Sequence, residues 1–149
     1  MSHAETLQPS VAAAASSTRR PRRVLRRIAA VGAGLVAIFA VTTVTDLVMH
    51  AAGVYPPPGA PPMSNALFLL AFAYRFAFDV AGCWLTARLA PDRPMRHAMA
   101  LGGIGLVLSI VGAAAMWDAG AHWYPIALAA SALPCAWLGG RLHHGRGRA

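Results

Sequence analysis

The chain has 149 residues, of which 57% are hydrophobic and only 12% are charged. Soluble globular domains carry about 25% charged residues, so this composition disfavours a soluble fold and favours a membrane protein. The apolar content excludes a disordered chain, and two cysteines are too few for a disulfide scaffold. The formal net charge of +8 lies in arginine clusters between and outside the apolar blocks, which indicates membrane topology and not nucleic-acid binding.

Residues 1–27 are predicted to form a basic leader. Ala, Ser and small polar residues without an apolar period fill its first two thirds, and arginines follow at Arg19, Arg20, Arg22, Arg23, Arg26 and Arg27. We expect the leader to be disordered, because it has too little apolar surface to offset the entropy of ordering. Its arginines are expected to bind anionic lipid; no aromatic residues alternate with them as nucleic-acid binding would favour.

Four apolar blocks follow, each near the roughly 20 residues that a helix needs to cross a bilayer. The first block is longer than the core of a secretory signal peptide and has no clear cleavage site, so we expect it to be retained. The predicted helices cover residues 28–49, 65–88, 95–116 and 123–138. They form a transmembrane domain over residues 28–140, followed by a basic tail at 141–149.

The arginines also predict the orientation of the helices. They precede the first helix, flank the loop between the second and third, and follow the fourth, while the other two loops have none. By the positive-inside rule, both termini and the middle loop are cytoplasmic. The predicted fold is therefore an all-α membrane protein, a bundle of four transmembrane helices with both termini on the cytoplasmic side.

Small residues at three- and four-residue spacing are expected to pack these helices together, because lipid gives helices little hydrophobic reason to associate. The predicted packing residues are Gly102, Gly105, Ser109 and Gly112 on the third helix, with Ser131 and Gly139 on the fourth. The glycines of the third helix do not indicate a phosphate-binding loop, because they lie in an apolar helix with no preceding strand.

Arg75 is the most informative residue, because it lies near the middle of the second helix and therefore deep in the membrane. An arginine there costs about 2.5–3.5 kcal/mol on the insertion scale, so partners must enclose it. Asp79 lies one turn along the same face, and Asp46 on the first helix is within reach of a long arginine side chain extended towards the outer surface. We predict a buried polar seam between the first two helices, formed by Thr42, Asp46, His50, Tyr74, Arg75 and Asp79.

Two interpretations of this seam stay open. Paired charges can fix helix register, in which case the seam is structural. Ionisable residues inside a membrane are also candidates for a proton or substrate pathway, in which Asp46 would bind the proton and His50 would titrate at the outer mouth.

Other chemistry has little support in the sequence. His50 and His122 both fall at outer helix ends and could flank a haem, although interfacial histidines are commoner. Cys83 and Cys135 lie within helices without a Cys-x-x-Cys pattern, and the tail histidines have no third ligand. No catalytic triad, nucleophile elbow or zinc-protease motif occurs, so we expect no enzyme activity, no cofactor and no metal.

The stretch from Thr45 to Arg141 contains TDLVMHAAGVYPP, AYRFAF, LTARLAP, RPMRHA and WYPIALAASALPCAWLGGRL. It resembles small four-helix inner-membrane proteins of bacteria without an assigned activity, and the resemblance implies membrane topology and nothing catalytic. We expect a non-enzymatic accessory or oligomeric membrane component, whose partners are the lipid bilayer and either a second copy or another membrane protein. The alternative is a small proton-coupled transporter that uses Asp46, Arg75 and Asp79.

Overall fold

The computed structural model describes residues 8–57, 60, 63–115, 117 and 121–146 of the chain. These residues form four α-helices and no strand: α1 (Gln8–Ala51), α2 (Asn65–Leu89), α3 (Pro94–Ala115) and α4 (Trp123–Arg146). The Ser64 hydroxyl caps the start of α2 by accepting a hydrogen bond from the Leu67 N–H, and α2 ends just before Pro91, which cannot continue a helix. The all-helical fold is confirmed.

Three of the four helices are long and apolar enough to cross a membrane: Arg22–Ala51 within α1, Asn65–Leu89 and Pro94–Ala115. The shortest of them has 22 residues. At about 1.5 Å per residue it reaches roughly 33 Å, close to the ~30 Å hydrocarbon core of a bilayer. α4 has 24 residues but contains Pro125 and Pro134 and begins with Trp and Tyr, which make it less apolar than the others.

The structure differs from the expectation of a disordered leader. α1 begins at Gln8, so residues 8–27 continue the first apolar helix instead of preceding it. Alanine, which is frequent in this segment, has the highest helix propensity of any residue type. Extending an existing helix also avoids the cost of nucleating a new one. α4 likewise continues into the predicted tail as far as Arg146. Residues 1–7 and 147–149 of the leader and tail lie outside the described part of the chain.

α1 and α2 run antiparallel, and so do α3 and α4, where Gly102 lies against Ala136 and Gly140 against Met95. Near one end of the bundle Arg27 of α1 pairs with Asp92 beyond α2, whereas towards the other end Asp46 pairs with Arg75. α2 contacts each of the other three helices, and α3 packs closely on α4. The buried core is made of small side chains with one leucine: Cys83, Ala87, Ala98, Leu101 and Ala136.

Glycines allow the closest helix approaches. A Cβ added at Gly34 would lie 1.9 Å from the Thr86 hydroxyl oxygen, and one at Gly102 would lie 2.4 Å from the Ala136 Cβ. At Gly139 it would lie 2.6 Å from the Val80 carbonyl oxygen. These contacts join α1 to α2, α3 to α4, and α2 to α4.

The remaining predicted packing residues behave differently from one another. Ser131 is buried, and its hydroxyl donates to the Leu128 carbonyl within α4. Gly105 and Gly112 have no described atom within 4 Å of an added Cβ, so the close packing expected at these two positions is not seen. Gly105 and Ser109 instead line a cavity.

Candidate functional site

A hydrogen-bonded charge cluster joins α1 to α2. The Arg75 Nη2 lies 2.5 Å from the Asp46 Oδ2, and the Tyr74 hydroxyl donates to the other carboxylate oxygen of Asp46. The two charged side chains are 30% and 28% exposed, so both are half-buried. Neighbouring residues on α2 thus hold both oxygens of one carboxylate, and charge-assisted hydrogen bonds of this kind are stronger than neutral ones.

Tyr55 extends this cluster from the segment that follows α1. It is only 5% exposed, and its hydroxyl donates to the Tyr74 hydroxyl oxygen at 3.0 Å. A turn at Gly53, with a φ of 71°, directs the chain back towards α2. Sequence reasoning missed Tyr55, although its place two residues after Gly53 and just before three consecutive prolines was the available signal.

His50 belongs to the same end of the bundle but does not reach the carboxylate. Its Nδ1 lies 2.8 Å from the main-chain oxygen of Asp46, and its ring meets the edge of Tyr55 with centroids 5.3 Å apart. The imidazole is exposed. Of the predicted seam, the structure therefore brings Asp46, Tyr74 and Arg75 into direct contact and leaves His50 at the margin.

Asp79 and Thr42, the other predicted seam residues, line a cavity of about 210 Å³ inside the bundle. Arg75 lies in the same wall, together with side chains from all four helices. Among the described residues, Asp79 makes no hydrogen bond and no ion pair within 4 Å. Arg75 acts on it only through its charge from a longer distance. The intrahelical pair of Arg75 with Asp79 is thus not formed, and Arg75 reaches across to α1 instead.

A second, more exposed ion pair lies near the opposite end of the bundle. The Arg27 Nε donates to an oxygen of Asp92 at 3.1 Å, and the two side chains are 45% and 38% exposed. The hydrogen bond from Arg27 lowers the pKa of Asp92 below its usual value. This pair ties α1 to the turn between α2 and α3, and its exposure makes it weak in salt.

The other candidate groups have ordinary structural surroundings. His122 stacks on Trp117 with centroids 4.5 Å apart, and the buried Cys135 thiol donates to the Phe76 carbonyl at 3.8 Å. Cys83 is buried and free. Within the described residues, no group of three or more His, Cys, Asp or Glu side chains could hold a metal ion.

Comparison with protein-family models, curated proteins and solved structures finds no significant match to this chain. The function must therefore be argued from the helices, the charge cluster and the cavity.

Proposed function

We propose that this chain is a non-enzymatic integral protein of the bacterial inner membrane, with four transmembrane helices and both termini in the cytoplasm. It would act as an accessory or oligomeric component of that membrane. The observation that carries this proposal is that α4 lies alongside α2 and runs in the same direction. The Trp123 Nε1 donates to the Asn65 side chain at 3.0 Å where both helices begin, and Gly139 packs on α2 close to Trp84. These contacts support an α4 that crosses the bilayer together with α2.

The outer surface of the bundle supports a lipid environment. Apolar side chains on α1 are largely exposed, with Phe39 at 74%, and α3 has a similar surface around Val107 and Val111. Apolar surface of this extent is rare on soluble monomers but suits contact with lipid or with another membrane-embedded chain. The arginine clusters near the ends of the apolar segments agree with cytoplasmic termini under the positive-inside rule.

Within this proposal the cluster of Asp46, Tyr74 and Arg75 is structural. Enclosing the arginine removes the insertion cost that it would impose on α2 alone, and the pair fixes the register of α1 on α2. Both oxygens of Asp46 are occupied, which leaves this carboxylate poorly placed to exchange a proton with a substrate.

The topology can be tested with reporters fused to the full chain and to a chain cut in the α3–α4 loop. A fluorescent protein that folds only in the cytoplasm should be active at the C-terminus of the full chain, and an exported phosphatase should be active at the loop. Phosphatase activity at the full-length C-terminus would contradict the four-span arrangement.

A small proton-coupled transporter that uses Asp46, Arg75 and Asp79 is the second candidate function, and the cavity beside two of these residues is the observation that favours it. In liposomes with an imposed proton gradient, the transporter predicts flux that Asp46→Asn or Asp79→Asn abolishes in a folded protein. The accessory role predicts no flux, together with a partner that copurifies in mild detergent.

A further inference from the structure

The bundle contains a partly open cavity that the structural role of the charge cluster does not explain. The cavity of about 210 Å³ is lined mainly by apolar side chains such as Leu35, Leu101 and Leu128. It is smaller than the roughly 300–1,000 Å³ of sites for drug-sized molecules, so a ligand there must be small. The lining is not entirely apolar, because Arg75 and Asp79 form part of it.

The charges around this cavity do not cancel. Asp46 and Arg75 form a close pair and neutralise each other. Asp79 lines the cavity and has no hydrogen bond or ion pair with any described residue. Of the described lining residues, Arg75 and Asp79 are the only charged ones. When Asp46, the partner of Arg75, is counted with them, the three charges sum to one negative charge. An ionised carboxylate in low-dielectric surroundings is costly, and a positive charge placed against it offsets that cost.

We propose that the cavity binds a small monovalent organic cation with an apolar body, whose positive charge lies against Asp79. Such a ligand neutralises the excess charge, and its apolar part fills the space between the leucine side chains. An anionic ligand would be a third negative charge near Asp46 and Asp79, against the single positive charge of Arg75. The inference goes beyond the proposed function, because it holds for an accessory protein and for a transporter alike.

The geometry also supplies a route of entry. Two lining side chains, Phe39 on α1 and Leu108 on α3, are 74% and 54% exposed, so the cavity reaches the outside of the bundle between these helices. In a bilayer this opening faces the hydrocarbon region. A cation with an apolar body can concentrate in the membrane and enter from the side, whereas a strongly hydrated inorganic ion cannot.

The test is binding of phenyltrimethylammonium to the full chain in a non-ionic detergent, measured by titration calorimetry against protein-free micelles. The neutral isostere tert-butylbenzene tests the need for charge, and glycine betaine tests a zwitterionic ligand. Asp79→Asn should weaken binding of the cation by about tenfold or more, because the charge interaction is lost. Asp92→Asn is the matched control, since it removes the same charge from an exposed turn, and it should leave the affinity within about twofold.

A second variant keeps the test decisive if Asp79→Asn fails to fold. An added Cβ at Gly105 meets no described atom within 4 Å, and Gly105 lines the cavity, so Gly105→Leu should fill the space while Asp79 stays in place. It should reduce binding by about tenfold or more in a protein whose helical content is unchanged. The proposal is overturned if the wild-type chain does not bind the cation, if tert-butylbenzene or betaine binds as tightly, or if folded Asp79→Asn or Gly105→Leu retains the affinity.

Discussion

The pair of Asp46 and Arg75 can be broken by replacing either residue. The structure predicts that the losses of unfolding free energy in the two single variants are not additive in the double variant. Asp46→Asn leaves the guanidinium without its partner, and Arg75→Gln leaves the carboxylate with only the Tyr74 hydroxyl. Removing one member of a fully buried pair costs about 3–5 kcal/mol. Because both side chains retain close to a third of their exposure, we expect about 1–3 kcal/mol for each single variant.

The double variant should lose less than the sum of the singles. Once Asp46 is replaced by Asn, the second replacement removes a cation that has already lost its partner. The coupling free energy should therefore be about 1–2 kcal/mol. Unfolding of the purified chain in mixed micelles, at increasing mole fractions of SDS, measures the three free energies on one scale.

The ion pair of Arg27 and Asp92 offers a matched control, since it has the same two residue types at higher exposure. The cycle of Arg27→Gln with Asp92→Asn should give a smaller coupling than that of the enclosed pair, because solvent and salt screen it. Additive effects at Asp46 and Arg75, or equal coupling in the two cycles, would refute the idea that the enclosed pair fixes α1 on α2.

Two further predictions concern close packing and pH. Gly34→Ala places a Cβ 1.9 Å from the Thr86 hydroxyl oxygen and should cost about 1–3 kcal/mol in the same unfolding assay, whereas Gly32→Ala on the same helix meets no described atom within 4 Å and should be nearly neutral. Equal effects would contradict the assigned contact between α1 and α2. The lowered pKa of Asp92 means that its ion pair stabilises the fold at neutral pH and loses this contribution as the pH falls below about 4 towards the pKa of the folded state. A carboxyl NMR titration should show that the pKa of Asp92 rises in Arg27→Gln, and an unchanged value would contradict the pairing.

Composition and the lengths of the apolar runs were sufficient to predict a helical chain with helices long and apolar enough to cross a membrane, because long apolar runs interrupted by prolines have few other solutions. They were not sufficient to predict where α1 begins, since low apolar content argued for disorder at residues 8–27 while alanine propensity favoured a helix. Small-residue spacing indicated Gly102 and Gly139 correctly as close contacts, but the same spacing at Gly105 borders a cavity. The spacing of small residues along one helix shows that they share a face of that helix. It does not show whether another helix or a cavity lies against that face.

The choice of partner for Arg75 shows the same limit more sharply. From the sequence, Asp79 was one turn away on the same helix and Asp46 required an extended side chain, so both pairings were open. In the structure Arg75 pairs with Asp46 on the other helix. The adjacent Tyr74 hydroxyl donates to the second carboxylate oxygen of Asp46, so both oxygens are hydrogen-bonded. That choice leaves Asp79 beside the cavity without an ion-pair partner in the described part of the chain. Any function that uses a charge in this bundle should therefore depend on Asp79 more directly than on Asp46, whose replacement should act mainly through stability.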